Sequence, residues 1–189
     1  MKNSASAPVT WWQCEPRRLA RDQSEIRERF PDLEWRPDGA GEWRGLLPRW
    51  PFTRPEPQGL AEMIGLRGLK VAVLYGHAYP MVPPAIHPLD PEPDLLMRTD
   101  QRWHVMGDGR LCLFQDDATW TGRDSVVELL LKAAGWRVEF ELMQRGAIER
   151  MTVNGIVDDP QLDHLLARAA VQEPVTSDNS TSGTGQLLS

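Results

Sequence analysis

The sequence predicts an α+β fold, in which one helix precedes an antiparallel meander and further helices follow it. Three observations support this class. Apolar residues recur at helical spacing within 17–30, β-branched residues cluster in 69–75, and helical spacing returns after Asp124. With 189 residues, the chain has the length of one domain with tails rather than of two domains.

The first helix is predicted over 17–30. Leu19, Ile26 and Phe30 fall on one helical face among charged residues. Pro31 ends the helix because its ring prevents continuation of the backbone hydrogen bonds.

Four strands are predicted to follow as an antiparallel meander. Segments 33–37 and 42–48 flank an Asp-Gly-Ala-Gly turn at 38–41, which indicates a hairpin. The apolar run 69–75 is typical of a central strand. The run 85–89 is predicted as a short edge strand, because its proline lacks the N–H that a central strand needs.

A proline-rich irregular stretch, 80–94, leads to a long loop that contains His104 and Cys112. A helix is predicted from about Asp124. Gly135 is expected to interrupt that helix and to divide it from a second segment.

The domain boundaries follow from composition. Residues 1–16 are predicted to be weakly ordered, although the tryptophan pair at 11–12 can dock onto the domain. The folded domain spans 17–150, and a partly helical extension spans 151–173. Residues 174–189 are rich in Ser, Thr, Gly and Asn, so they are predicted to form a disordered tail.

Composition excludes several partners and locations. The net charge of −6 argues against a nucleic acid or an anionic membrane surface as the main partner. No apolar run reaches the roughly 18 residues of a membrane span, and the N-terminus lacks the apolar core of a signal peptide. The expected location is the cytoplasm, where Cys14 and Cys112 are expected to be free thiols.

Cofactor motifs are not found in the sequence. The four histidines show no metal-ligand spacing, and there is no glycine-rich phosphate loop. We therefore expect neither a metal nor a nucleotide cofactor. The same observation predicts that any activation of an acyl group is performed by another protein or is bypassed.

Three fragments carry the strongest functional signal. The first is Tyr-Pro-Met-Val-Pro-Pro over 79–84, the second is Gly-Arg-Leu-Cys-Leu over 109–113, and the third is Trp120, eight residues after the cysteine. In this order and spacing, they resemble the ubiquitin-conjugating enzyme family. The matching residues of the first fragment are Tyr79, Pro80, Pro83 and Pro84. The resemblance covers roughly 17–145.

The resemblance implies the family's fold and a role for Cys112 as the residue that carries an acyl group as a thioester. The chemistry of the residue agrees with this role, because a thiolate is both a good nucleophile and a good leaving group. Cys112 also follows an Asp-Gly turn at 108–109 in a polar segment. The alternative is a small buried cysteine under the loop, since free cysteine is often buried.

His104 occupies the position of the asparagine in the family's His-Pro-Asn tripeptide, and the His-Pro pair is replaced by Arg102-Trp103. An imidazole N–H can donate to a developing oxyanion, and the neutral ring can accept a proton from the attacking group. The alternative, held equal, is a structural histidine that fixes the loop.

The remaining candidates are supporting residues. Asp116 and Asp117 follow the cysteine and can influence the pKa of an incoming lysine, or they are simply solvated. Trp120 is expected to pack the loop onto the next helix. Tyr79 and the prolines of the turn are expected to make it rigid.

The tripeptide replacement is similar to the prokaryotic branch of the family, known from bacterial anti-phage operons of the CBASS type. This implies a cGAS-like nucleotidyltransferase or a ubiquitin-like protein as partner, together with a separate activating enzyme if one is present. Two alternatives remain open. One is a catalytically weak binding module that regulates the nucleotidyltransferase, and the other is a protein that forms a mixed disulfide through Cys112.

Overall fold

One antiparallel sheet forms the centre of the computed structural model, which describes residues 9–114, 120–152 and 155–171. Its strands pair in sequence order, and they are β1 (Leu33–Arg36), β2 (Glu42–Leu46), β3 (Lys70–Leu74) and β4 (Ala85–Asp90). The α+β class and the four-stranded antiparallel sheet are confirmed.

Local chemistry explains the sheet register. The Gly41 N–H donates to the Asp38 carbonyl at 2.8 Å, which closes the predicted hairpin turn and places Trp35 opposite Trp43. Strand β4 lies at the edge of the sheet, as predicted. Its Pro88 pairs with Val71, next to an irregularity in the β3 register.

Two helices pack with the sheet. Helix α2 spans Pro16–Arg29, and α5 spans Val126–Gln144. The predicted interruption at Gly135 is wrong, because α5 continues through this residue. A helix that is buried on most of its faces is stabilised by tertiary packing, and this outweighs the weak helix propensity of one glycine.

A short helix, α1 (Trp11–Cys14), precedes α2. Trp11 is buried, its Nε1 donates to the Ala40 carbonyl at 2.7 Å, and its ring stacks on Tyr75 at 5.1 Å. The tryptophan pair therefore docks, and the weak order predicted for 1–16 is wrong for α1. Residues 1–8 lie outside the described part of the chain.

Helices α3 (Leu60–Ile64) and α6 (Asp163–Ala170) were not predicted as separate elements, although α6 lies within the extension 151–173. They pack on the C-terminal half of α5 and form a second apolar cluster. Its buried members are Leu60, Met63, Ile64, Val138, Leu142, Leu166 and Ala169. The predicted tail, 174–189, lies outside the described residues.

The described residues also form helix α4 (Leu95–Thr99) and three short 3-10 helices, Gln101–Trp103, Ile156–Asp158 and Pro160–Leu162. Within the described ranges, every helix is too short or too polar to cross a lipid bilayer.

Candidate active site

Cys112 lies at the base of a small hairpin that follows the 3-10 helix Gln101–Trp103. Val105 and Leu111 form a bridge, and Met106 and Arg110 are joined by an N–H to carbonyl bond of 2.8 Å. The Cys112 side chain is exposed. The alternative that Cys112 is a buried structural cysteine is therefore wrong.

The hairpin turn depends on Gly109. This residue has φ +87°, and its N–H donates to the Met106 carbonyl at 2.8 Å. A Cβ placed there would lie 3.3 Å from the guanidinium carbon of Arg98 on α4. The predicted Asp-Gly turn thus needs glycine for its positive φ, whereas the Arg98 side chain can shift to admit a Cβ.

The hairpin is anchored to the sheet and to α5. The Leu111 N–H donates to the Ile86 carbonyl of β4 at 2.8 Å. On the other arm, Trp136 Nε1 donates to the Trp103 carbonyl at 2.8 Å. These two bonds fix the backbone on both sides of the hairpin, so the exposed thiol is presented from a held position.

His104 is adjacent to Cys112 across this hairpin. The Cys112 N–H donates to the His104 carbonyl at 2.8 Å. His104 has φ +50° and ψ +41°, in the left-handed region that non-glycine residues seldom adopt. Its imidazole is half-buried, and within the described ranges no hydrogen bond engages it.

The chain beyond Cys112 contacts α5. The thiol lies 3.8 Å from the Phe114 carbonyl, and Lys132 Nζ donates to the Leu113 carbonyl at 3.3 Å. The Lys132 ammonium also lies 5.6 Å from the centre of the Phe114 ring. Lys132 was not predicted as a site residue. Asp116 and Asp117, which were predicted to support the site, lie outside the described residues.

The Tyr-Pro turn and Trp120 are brought together by the fold. Trp120 Nε1 donates to the Pro80 carbonyl at 2.7 Å. Tyr79 and Pro84 are buried, and Pro83 is half-buried. The turn therefore supports the segment that leads from the cysteine loop into α5.

Sequence reasoning missed a buried polar network beneath this turn. Arg18 and Asp22 are buried on α2 and lie 2.9 Å apart. The Tyr79 hydroxyl donates to Asp22 at 2.5 Å and accepts from Arg18 Nε at 2.7 Å. One signal was present in the sequence: residues 18 and 22 share a four-residue spacing with the buried Ile26.

Electrostatics in this network are dominated by burial. Burial raises the pKa of the Asp22 carboxyl, although the Tyr79 hydrogen bond and the Arg18 charge oppose the shift. The pKa of the Tyr79 hydroxyl is raised for the same reason, and the nearby Asp22 charge adds to the shift. Tyr79 is therefore neutral at physiological pH and serves as a hydrogen-bonding group.

An open cleft of about 560 Å³ lies against α4 rather than at Cys112, and it is lined by Glu92, Pro93, Asp94, Leu95, Leu96 and Arg98. Within the described ranges, no group of three or more His, Cys, Asp or Glu side chains is placed to hold a metal ion. Cys112 is therefore a free, exposed thiol on a surface hairpin.

No protein-family model matches the chain, and no curated protein matches it.

Proposed function

We propose that this protein is a ubiquitin-conjugating-type acyltransferase, which carries the C-terminus of another protein as a thioester on Cys112 and passes it to a target. The observation that carries the proposal is the exposed thiol on a hairpin whose backbone is held to the sheet and to α5. A thioester carrier must meet a donor protein and then an acceptor protein, so its nucleophile has to be accessible and positioned.

The chemistry consists of two acyl transfers. In the first, the Cys112 thiolate attacks an activated C-terminal carbonyl, a C–S bond forms, and the group that activated the carboxyl departs. A separate activating enzyme supplies that activated carboxyl. In the second, an amine nitrogen attacks the thioester carbonyl, the C–S bond breaks, and the amine loses a proton as the amide forms.

His104 is the candidate to assist the second transfer. Its backbone carbonyl accepts from the Cys112 N–H across the hairpin, which motivates this role. An imidazole N–H can stabilise the oxyanion that develops on the carbonyl. The backbone of His104 lies in the left-handed region, with φ +50° and ψ +41°. Strained conformations of this kind are frequent at functional sites.

The fragments at 79–84, 109–113 and Trp120, together with the replaced tripeptide, motivate a more specific setting. In this proposal, the protein acts in the cytoplasm in a bacterial anti-phage system of the CBASS type, and the carried group is the C-terminus of a cGAS-like nucleotidyltransferase. A ubiquitin-like protein is the other candidate for the carried group.

The test uses co-expression with the native gene neighbours, followed by intact mass measurement. We expect the wild-type protein to carry a covalent adduct that hydroxylamine cleaves at neutral pH. Cys112→Ala should carry none, and Cys112→Ser should trap the same mass as a more stable oxygen ester. Cys14→Ser is the matched control because Cys14 is also exposed and free, and this variant should keep the adduct.

Other outcomes would support the alternatives. An adduct that is released by reductant but resists hydroxylamine would indicate a mixed disulfide at Cys112. A folded protein that binds the nucleotidyltransferase without any Cys112-dependent adduct would indicate a binding module.

A further inference from the structure

Arg18 connects three separate parts of the molecule. Its Nε donates to the Tyr79 hydroxyl, Nη1 donates to the Gly122 carbonyl at 2.6 Å, and Nη2 donates to the Asp124 carbonyl at 2.6 Å. The two carbonyl acceptors are 104 and 106 residues away in sequence. A single side chain on α2 therefore holds both the Tyr-Pro turn and the segment that enters α5.

The guanidinium suits this role because it is planar and offers several N–H donors in a fixed fork. Its charge is balanced by Asp22 on the same helix. Its carbon also lies 5.0 Å from the centre of the Tyr79 ring and 5.8 Å from that of Trp120. The Arg18 guanidinium is thus contacted on several sides, so it can fix the positions of the carbonyls that accept its hydrogen bonds.

The segment that Arg18 holds is the end of the loop that carries Cys112. The start of that loop is held by Trp136 through the Trp103 carbonyl. Without Arg18, the half-buried Gly122 and Asp124 carbonyls would lose these donors. The end of the loop would keep two weaker attachments, the Trp120 Nε1 bond to the Pro80 carbonyl and the Arg21 bond to the Arg123 carbonyl. The Cys112 thiol would then occupy a wider range of positions relative to the donor and acceptor proteins.

We infer that Arg18 is a positioning residue of the candidate active site, which fixes the loop carrying Cys112 by clamping the end of that loop to α2. This inference deepens the proposed function and depends on it only for its effect on acyl transfer. The structural effect on the loop is independent of any partner.

The test compares Arg18→Met with a matched control, Arg54→Met. The Arg54 guanidinium also bonds a carbonyl, that of Val157, forks onto the Asp163 carboxylate and lies over the Trp50 ring at 4.7 Å. The carboxylate in this set of contacts belongs to α6. Both substitutions should lower stability, but of the two sets of contacts with described residues, only those of Arg18 reach the segment that follows Cys112.

The measurement is amide hydrogen exchange by mass spectrometry on the purified full chain. In Arg18→Met, we expect exchange on the order of tenfold faster in the peptides that cover 104–114 and 120–125, because local opening costs less free energy. The protected amides include those of Met106, Leu111 and Cys112. In Arg54→Met, exchange in these peptides should match the wild type. Equal exchange at 104–114 in the two variants would overturn the inference.

Arg18→Lys addresses the case in which Arg18→Met does not fold. Lysine keeps the charge beside Asp22 but cannot place a fork of N–H groups on both carbonyls. We expect it to show the same pattern of faster exchange to a smaller extent. Wild-type exchange in Arg18→Lys would show that the charge alone is needed and would also overturn the inference.

Acyl transfer supplies the second readout. If a Cys112 thioester forms, its discharge to an amine should be on the order of tenfold slower in Arg18→Met, because misplacement of a reacting group is costly. In Arg54→Met it should be unchanged, and equal slowing in both variants would count against positioning. Absence of the thioester in the wild type would reject the proposed function, whereas hydrogen exchange would still decide the role of Arg18.

Discussion

The backbone N–H of Cys112 donates to the carbonyl of His104 at 2.8 Å, so the two candidate catalytic residues are paired across one hairpin although seven residues separate them. This bond fixes their relative position through the backbone. Any change at His104 can therefore act through its ring or through the conformation of the hairpin, and the first prediction separates these effects.

We expect His104→Ala to slow discharge of the Cys112 thioester on the order of a hundredfold, because an oxyanion donor is lost. His104→Asn should retain more activity, since asparagine tolerates positive φ and its amide can donate. His104→Gly is the control for the backbone, because it accepts φ +50° without supplying a donor. Single-turnover rates of thioester discharge distinguish loss of the donor from a change in backbone conformation. Normal rates in His104→Gly would show that only the backbone conformation is needed.

Ser125 is predicted to stabilise the start of α5. Its hydroxyl accepts from the Val127 N–H at 3.2 Å and donates to Glu25 on α2 at 2.5 Å. Ser125→Ala should lower the free energy of unfolding by about 1 kcal/mol, the usual cost of a lost N-cap. Ser125→Thr keeps the hydroxyl and serves as the control. Urea denaturation measures both, and equal stability of the alanine and threonine variants would contradict the capping role.

The same substitution should change the titration of Glu25. Burial favours the neutral form of Glu25, but the hydrogen bonds from Ser125 and Arg21 outweigh it and hold the carboxyl pKa below its ordinary value of 4.5. In Ser125→Ala, the pKa should rise toward that value because one of these bonds is lost. Side-chain carboxyl resonances followed by NMR against pH would measure the shift. A pKa that stays the same would show that the Ser125 hydrogen bond does not contribute to the lowered pKa of Glu25.

Titration of Asp22 should lower the free energy of unfolding as the pH rises, which is the opposite of the usual effect of a carboxyl. Its pKa is raised above 3.8, mainly by burial, so the folded chain binds this proton more tightly than the unfolded chain does. Its contribution to stability is therefore greatest below pH 3.8 and decreases as the pH rises through the raised pKa. Asp22→Asn cannot titrate. We expect acidification from neutral pH toward 4 to favour the wild type relative to this variant in urea denaturation. A shift in the other direction would mean that the Arg18 charge outweighs burial.

Gly135 offers a test of the uninterrupted helix. A Cβ at this position would meet Val157 at 3.5 Å, an ordinary contact distance. Gly135→Ala should therefore raise the free energy of unfolding by about 0.5 to 1 kcal/mol, the difference in helix propensity. Gly68→Ala is the opposing control, since its Cβ would lie 2.0 Å from the Leu47 carbonyl oxygen and must force the backbone apart. Chemical denaturation that finds both variants destabilised would contradict the ordinary fit at Gly135.

The sequence by itself determined the order of the main elements, and it favoured a surface position for Cys112 without excluding a buried one. Helical spacing in 17–30, the turn at 38–41 and the β-branched run at 69–75 are local signals, and local signals suffice for helices, turns and strands. The Asp-Gly turn before Cys112 likewise predicted a polar surface position. The conjugating activity and its partners stay predictions that the experiments above address.

The tertiary structure alone decided which residues support the site. In the sequence, Arg18 is one of many charged residues of a predicted surface helix. In the structure, it donates hydrogen bonds to carbonyls more than a hundred residues away. In the sequence, Gly135 is typical of a helix break. In the structure, tertiary packing keeps α5 continuous through this residue. Both differences have one physical cause. Burial and long-range hydrogen bonds depend on which segments meet in space, and neither composition nor periodicity within one segment contains that information.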